Sequence, residues 1–419
     1  MDSNENNDFL ESLRVYYKLL FPYRQFYKWL TFGDENGNFF KRREFSFTLT
    51  GDIYIRYQCF QNRNEMEKAI QNKLPEKIDF GAVYNIRPDE GKKNLVSCFP
   101  IERELIFDVD INDYDDVRSC CEGSSICLKC WPFLTIAMKI LHRTLTEDFG
   151  FEHILFVFSG RRGIHCWVLD RRARELSDKA RAAIVSYISL VEGGAYQSKR
   201  VNLDSSRSLH PSVSESLKIV DSYFESLIVE KQRFFDNVEN VKKCIDWCTD
   251  PELKSTLSIK FLENKNSIKN SSEVWLNFKN IVEGCLNSNK NIGSRRRSKH
   301  YLAELQLQLL YPRLDANVSK TMNHLLKSPF SVHPKTGRVC VPIDIEKVDS
   351  FNPFTVPQIN ELIVEINEFD KKSKNDDASN VKTFEKTSLR ESIRFFDKFV
   401  EKFVDKCKKE KKPKQDINF

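Results

Sequence analysis

Asp108 and Asp110 lie one residue apart in the apolar segment ELIFDVD, a spacing that can bring two carboxylates together. Side chains two positions apart on a β-strand project from the same face, with Cα atoms ~7 Å apart. Two such anions repel one another unless a cation lies between them. Carboxylate oxygens favour Mg²⁺ or Mn²⁺, and a pair of these ions can promote nucleotidyl transfer. The motif alone also fits an exposed acidic strand edge, so other residues must decide.

A cluster of thiols follows the aspartates in the pattern C-C-x5-C-x2-C. Its members are Cys120, Cys121, Cys127 and Cys130. A structural zinc ion takes four such thiolates in a tetrahedron, which leaves no position open for water. This pattern therefore predicts a zinc ion that stabilises a polar loop and takes no part in catalysis. Four reduced thiols and an iron–sulfur cluster remain alternatives.

A basic turn with the sequence SGRRGIH offers several donors to phosphate oxygens. These donors are Ser159, Arg161, Arg162 and His165. Guanidinium groups bind phosphate bidentately, and glycines let the backbone approach a ligand, so the turn is a candidate triphosphate cradle. Arginines in hairpin turns are, however, often only solvated.

Three further candidates come much later in the chain. Asp315 is a third acid, and Lys327 and His333 are cationic or hydrogen-bonding groups. Three acids and a cationic clamp are the groups that a polymerase-type nucleotidyl transferase requires. A lone histidine in a proline-flanked turn, such as His333, is more often structural than catalytic.

The hydrophobic pattern indicates which elements position these residues. It predicts a strand at residues 104–110 and an amphipathic helix at residues 131–145. It also predicts a β-hairpin formed by the segments that flank the basic turn. From about 200 to 300 the chain is rich in Lys, Glu and Asn with helical periodicity, which predicts a helical insert. Strand and turn signals return with YPRLDANVSK and SVHPKTGRVCVPID, so we expect the chain to re-enter the first domain there.

Composition excludes several classes of protein. The 419 residues carry a net charge of +6, which permits a polyanionic partner without requiring one. The polar, acidic N-terminus does not fit a secretory leader, and no apolar run reaches the ~20 residues that span a bilayer. Twelve cysteines in such a chain favour a reducing compartment. We therefore expect a soluble, intracellular protein with no membrane partner.

Taken together, the motifs carry a specific resemblance. FDVD, the cysteine pattern, SGRRGIHCWV, YPRLDANVSK and HLLKSPFSVHPKTGR resemble, in this order, the catalytic small subunit of the archaeal–eukaryotic DNA primases, most closely the eukaryotic form. The similarity covers roughly residues 10–200 and 300–360, and it is weak over the helical part. It implies synthesis of short RNA primers on single-stranded DNA from ribonucleoside triphosphates.

The resemblance also implies an α/β fold, with a mixed-sheet primase-type catalytic core, an inserted α-helical subdomain and a structural zinc site. The expected domains are 1–198 (first part of the core, zinc motif 120–130), 199–300 (helical insert), 301–366 (second part of the core) and 367–419. The similarity is absent in the last part, whose composition and apolar spacing predict a linker and a lysine-rich tail with an amphipathic helix at 388–404. Whether this helix packs on the core or on a partner is left open.

By motif position, the resemblance assigns roles to individual residues. Asp108, Asp110 and Asp315 would hold catalytic Mg²⁺ or Mn²⁺, and the four clustered cysteines would hold Zn²⁺. The nucleotide's phosphates would be bound by Ser159, Arg161, Arg162, His165, Lys327 and His333. The same site would be lined by Glu44, Tyr54 and Arg56, with Asp79 nearby.

Partners and location follow from the same resemblance. The chain would form a heterodimer with a large primase subunit, and the heterodimer would join the DNA polymerase alpha complex. The stretch KCKKEKKPK (406–414) fits a nuclear localisation signal, so we expect a nuclear protein. A solvated tail explains this stretch at least as well. Two alternatives remain open, namely a two-metal nuclease and a non-catalytic, zinc-stapled subunit that binds nucleic acid.

Overall fold

A computed structural model describes residues 3–34, 36–94, 97–191, 201–263, 270–287, 299–372 and 381–411. Its contacts divide the chain into two units. Unit 1 contains residues 1–108, 151–183 and 315–419, and unit 2 contains residues 109–150 and 184–314. Both units draw on separated parts of the sequence, and the residues described in the predicted helical insert lie in unit 2.

Nine strands form two sheets among the described residues. They are β1 Arg43–Leu49, β2 Ile53–Gln58, β3 Lys77–Tyr84, β4 Pro100–Glu102, β5 Leu105–Asp110, β6 Ile154–Phe158, β7 Gly163–Val168, β8 Leu326–Lys327 and β9 Pro342–Ile343. The first sheet has the order β2-β1-β3-β4, with β8 also paired to β3, and the second has the order β5-β7-β6-β9. The antiparallel pairs are β1–β2, β1–β3, β3–β4, β3–β8, β6–β7 and β6–β9. The expected β6–β7 hairpin is confirmed.

Helices account for most of the remaining described chain. Those of unit 1 are α1 Ser3–Leu19, α2 Tyr23–Leu30, α3 Asn38–Lys41, α4 Arg63–Lys73, α5 Pro88–Asn94, α7 Arg171–Arg174, α14 Ala316–Lys320, α15 Ile359–Lys372 and α16 Arg390–Lys411. Those of unit 2 are α6 Pro132–Arg143, α9 Pro211–Phe224, α10 Val238–Asp246, α11 Pro251–Ser258, α12 Ser271–Asn287 and α13 Tyr301–Leu310, while α8 Asp178–Ile188 begins in unit 1 and ends in unit 2. None of the described helices combines the length and apolarity of a membrane span.

The amphipathic C-terminal helix α16 packs within unit 1. Its buried side chains include Phe396, whose ring centroid lies 5.3 Å from that of Phe26 and 6.1 Å from that of Trp29, both on α2. Near its other end, Lys406 pairs with Glu152 over 3.1 Å. The helix therefore contributes to the core, which answers the question that its pattern alone left open.

Two expectations about local structure need correction. YPRLDANVSK was expected to bring back strand structure, yet residues 316–320 form helix α14, because the side chain of Asp315 accepts from the N–H of Asn317 and caps it. The predicted linker begins inside α15, which continues to Lys372. Its remainder at 373–380, and residues 412–414 of the basic stretch, lie outside the described residues.

Candidate functional site

The basic turn connects β6 to β7 in unit 1. The N–H of Ser159 donates to the carbonyl of Gly163 over 2.9 Å, and the N–H of Gly163 donates to the Ser159 hydroxyl over 3.0 Å. Gly160 adopts a φ of +88°, and a Cβ placed there would lie 2.7 Å from the Cβ of His333. This glycine therefore allows the two candidate phosphate-binding segments to come into direct contact.

Lys327 joins the two sheets of unit 1. It lies on β8 opposite Asp79 of β3, in the first sheet. Its ammonium donates to the carbonyl of Ser159 at the end of β6, over 3.1 Å. The buried carboxylate of Asp79 is held in turn by Ser46, at 2.8 Å, and by Lys77, at 3.1 Å. Residues more than a hundred positions apart thus meet beside the basic turn.

Both candidate histidines are neutral at physiological pH. Burial, with the nearby cations Lys327 and Lys77, lowers the pKa of His165 to about 3. Burial and a set of cations that begins with Lys327 lower the pKa of His333 to about 3 as well. A neutral imidazole keeps one ring N–H, so each of these side chains can donate a hydrogen bond without adding charge to the cluster.

Two of the three candidate acids are linked directly in unit 1. The N–H of Asp315 donates to the carbonyl of Asp108 over 3.0 Å, so the start of α14 is attached to β5. The Asp108 carboxylate lies 3.8 Å from Nε2 of His165. Asp110 is the last residue of β5, where half-buried Asp108 and Asp110 alternate with buried Phe107 and Val109, and the boundary between the units follows Asp108.

Glu44, Arg56 and Tyr54 lie on the β1–β2 hairpin. The fully buried Glu44 accepts from Arg56 over 2.9 Å and from the hydroxyl of Tyr84 over 3.0 Å. Tyr54 is 51% exposed at the tip of the hairpin. The carboxylate of Glu44 therefore fixes Arg56, whereas the Tyr54 ring remains available at the surface.

The cysteine cluster lies in unit 2, and its donor atoms are close. The Sγ atoms of Cys120, Cys121, Cys127 and Cys130 all lie within 4.8 Å of one another. A tetrahedral zinc–thiolate site places sulfurs ~3.8 Å apart, and the Sγ atoms of Cys127 and Cys130 are 3.9 Å apart. Among the described residues no other group of three or more candidate metal ligands is this tight, so the three aspartates form no comparable cluster.

The electrostatics of the thiols also suit a cation. Burial alone would raise the pKa of Cys127, but the backbone N–H groups of Lys129 and Cys130 lower it to about 7. Burial raises the pKa values of Cys121, to about 11, and of Cys130. A metal ion would stabilise all four thiolates, because thiol ligands bind metals in the deprotonated form. The donor set therefore fits zinc.

Several residues that support these groups were not predicted from the sequence. Lys77 and Ser46 hold Asp79, Tyr84 holds Glu44, and the Thr336 hydroxyl donates to the carbonyl of Gly160 over 2.7 Å. The alternation of β3 could have placed Lys77 on the face of Asp79. The contact of Thr336 with Gly160 depends on tertiary packing, and no sequence signal indicates it.

Comparison with known proteins identifies the family. The family model for the DNA primase small subunit matches residues 107–345. A DNA primase small subunit from Drosophila melanogaster is 42% identical over 91% of this chain and 89% of its own length. The proteins of the same name from Schizosaccharomyces pombe and Saccharomyces cerevisiae are 43% and 35% identical, over 87% and 88% of this chain and 79% and 87% of theirs.

A solved structure was also compared with the chain. The polymerase domain of Mycobacterium tuberculosis Ligase D in complex with DNA covers 93% of this chain and 92% of its own, with 9% identity and a TM-score of 0.36. A score this low does not establish a common fold. The assignment rests on the sequence relatives, and on that basis the chain belongs to the DNA primase small subunit family.

Proposed function

We propose that this chain synthesises RNA primers on single-stranded DNA by two-metal nucleotidyl transfer, with Asp108, Asp110 and Asp315 as the metal ligands. The observation that carries the proposal is the attachment of Asp315 to Asp108 beside His165, in a chain of the primase family. Two ions ~3.5–4 Å apart need ligands more widely spaced than one ion does. Aspartates that are less tightly grouped than the cysteines are therefore compatible with a two-metal site.

Mg²⁺ or Mn²⁺ bound there would lower the pKa of the attacking 3′-hydroxyl and neutralise charge on the triphosphate. The residues of the chain bind and orient the nucleotide. In this proposal the phosphates are held by Ser159, Arg161, Arg162, His165, Lys327 and His333. The neutral imidazoles of His165 and His333 donate hydrogen bonds to phosphate oxygens, while the arginines and Lys327 supply the positive charge.

The rest of the site forms the pocket around the incoming nucleotide. Glu44 orients Arg56, the exposed ring of Tyr54 offers a stacking surface, and Asp79 lies opposite Lys327. In this proposal Glu44, Arg56, Tyr54 and Asp79 line the nucleotide site. The cysteine cluster holds Zn²⁺ and stabilises its loop without taking part in the reaction.

The partners follow from the same function. We propose a heterodimer with a large primase subunit that works within the DNA polymerase alpha complex, in the nucleus. The DNA template would be bound largely through its phosphates, so template binding should weaken as salt rises. Localisation can be tested by fusing residues 406–419 to a fluorescent reporter. The reporter should accumulate in the nucleus if the basic stretch acts as a localisation signal.

Primer synthesis on a homopolymer single-stranded DNA template tests the central claim. Labelled ribonucleotide should appear in short products with the wild-type chain and should be lost with Asp110→Ala, while zinc content and melting temperature stay unchanged. Products that persist in the variant would remove Asp110 from the mechanism. A nuclease would instead shorten a labelled template and incorporate no nucleotide. A non-catalytic binding subunit would neither shorten the template nor incorporate nucleotide, so one gel distinguishes the three functions.

A further inference from the structure

One buried glutamine of unit 2 contacts both ends of the cysteine loop. Gln232 follows the π-helical turn Glu225–Lys231 and is 1% exposed. Its side-chain oxygen accepts from the N–H of Ser119 over 2.8 Å, and its side-chain amide donates to the carbonyl of Lys129 over 2.9 Å. A single side chain thus joins the residue before Cys120 to the residue before Cys130.

The same amide reaches the cluster itself. Nε2 of Gln232 lies 3.4 Å from Sγ of Cys120, within hydrogen-bonding range for sulfur. The backbone carbonyl of Gln232 also accepts from the Ser119 hydroxyl, so the side chain and the main chain hold the same residue. These contacts bring a residue from the helical segment, more than a hundred positions away, against a metal-binding loop.

Arg118 makes further contacts with the loop. Its guanidinium donates to the carbonyls of Ser125 and Gly123, over 2.7 and 2.8 Å, and pairs with Asp115. It also lies 3.8 Å from Sγ of Cys130. Four thiolates around a divalent ion carry a net charge of −2, so a cation and N–H donors next to the sulfurs stabilise the loaded state.

We infer that Gln232 is a positioning residue for the four-cysteine site, and that it couples retention of the metal to the helical segment around residues 225–236. This inference rests on the proposed zinc site. Because Gln232 bonds to Ser119, Cys120 and Lys129 at once, it restrains the loop that carries the cysteines and should slow their separation from the metal. Loss of the metal should in turn loosen the segment that holds Gln232.

Zinc release from the purified full chain tests the inference. Gln232→Met keeps the length of the side chain but removes its hydrogen bonds, and Gln232→Glu places a negative charge beside the thiolates. Partners outside the ligand shell typically change metal affinity about 10–100-fold. We therefore expect zinc transfer to a colorimetric chelator to be at least about 10-fold faster in Gln232→Met than in the wild type, and faster again in Gln232→Glu.

Gln306→Met is the matched control. Gln306 is a buried glutamine of the same unit, and its side-chain amide donates to Asp221 over 2.7 Å rather than to the loop. Its variant should release zinc at the wild-type rate. An unchanged rate in Gln232→Met would overturn the inference. A wild-type chain that binds no zinc would instead remove the zinc proposal on which the inference rests.

Hydrogen exchange on the wild-type chain gives a second test that needs no variant. Removing zinc with a chelator should reduce protection in peptides covering 119–131 and also in those covering 225–236, while the β6–β7 hairpin of unit 1 keeps its protection. Retained protection at 225–236 would show that the segment is independent of the metal, and it would overturn the inference even if the variants of Gln232 failed to fold.

Discussion

The backbone N–H of Asp315 donates to the carbonyl of Asp108 over 3.0 Å, which places the last candidate acid directly beside the first. The bond attaches the N-terminus of α14 to β5. Asp315 thus has two roles, since its side chain also caps α14. A substitution that separates these roles gives the sharpest test of the site.

Asp315→Asn should lose primer synthesis without loss of stability. Asparagine caps a helix about as well as aspartate, so α14 should form, but the charge that a divalent ion requires is gone. We expect activity to fall at least ~10²-fold with an unchanged melting temperature. Asp344→Asn is the control, because Asp344 caps Ile345–Ser350 through the N–H of Glu346 and has no proposed role in the site. Equal activity losses in both variants would contradict the assignment.

Gly160→Ala should impair nucleotide binding. The new methyl group would collide with His333 at 2.7 Å and with Cys340 at 3.1 Å, and this collision would separate the two candidate phosphate-binding segments. A displacement of about 1 Å can cost about 10²-fold in rate, so we expect a fall of that order in kcat/KM for the nucleotide. Gly51→Ala shares the positive φ but has no neighbour within 4 Å, so it controls for backbone strain alone.

The contribution of His333 should not depend on pH between 5.5 and 8.5. Its pKa is lowered to about 3, so the ring is neutral over this whole range and gains a proton only below it. Because kcat/KM reports groups of the free enzyme, the ratio of wild-type to His333→Ala kcat/KM should stay constant across the range. A ratio that changes tenfold with a midpoint near pH 6.5 would show an ordinary histidine.

Glu104 should matter for stability, with a defined pH window. The carboxylate is fully buried and pairs with Arg43 at 2.9 Å and Arg103 at 3.1 Å. Burial alone would raise the pKa of Glu104, but the two arginines lower it to about 2. The stabilisation is therefore complete above pH 4.5, the ordinary value, and is lost as the pH falls from there towards 2.

Glu104→Gln should lower the free energy of unfolding at pH 7 by about 3–5 kcal/mol, because it leaves two buried arginines uncompensated. Unfolding by urea at several pH values measures this, and the variant should lose the acid-dependent decline assigned to Glu104. Glu401→Gln is the control, since Glu401 is half-exposed and its pair with Lys28 contributes about 0–1 kcal/mol. Equal losses of unfolding free energy in the two variants would contradict the role assigned to Glu104.

Phe396→Ala should reveal how far the C-terminal helix stabilises unit 1. The ring is fully buried, with the rings of Phe26 and Phe330 5.3 and 5.2 Å away. Its removal from such a core typically costs about 3–5 kcal/mol in unfolding free energy. Phe399→Ala, on the same helix but only partly buried, should cost less. An unaltered urea midpoint for Phe396→Ala would mean that the helix is not part of the folded core.

The sequence by itself determined the groups that carry chemistry and the elements next to them. The alternation of ELIFDVD placed Asp108 and Asp110 on β5, and the two apolar segments around SGRRG predicted the β6–β7 hairpin, because both patterns are local. The spacing of the cysteines likewise indicated a single cluster. Residues 316–320 were harder, since one capping side chain converts the expected extended segment into a helix.

Only the tertiary structure decided which distant groups meet. Asp315 reaches Asp108 across about two hundred residues, Lys327 reaches Ser159 from the other sheet, and Gln232 reaches Cys120 from the helical segment. Strand register and packing determine such contacts, and no local periodicity records them. The sequence therefore determined which ligands, cations and thiols the chain carries, whereas the folded units determined which of them lie within bonding distance of one another.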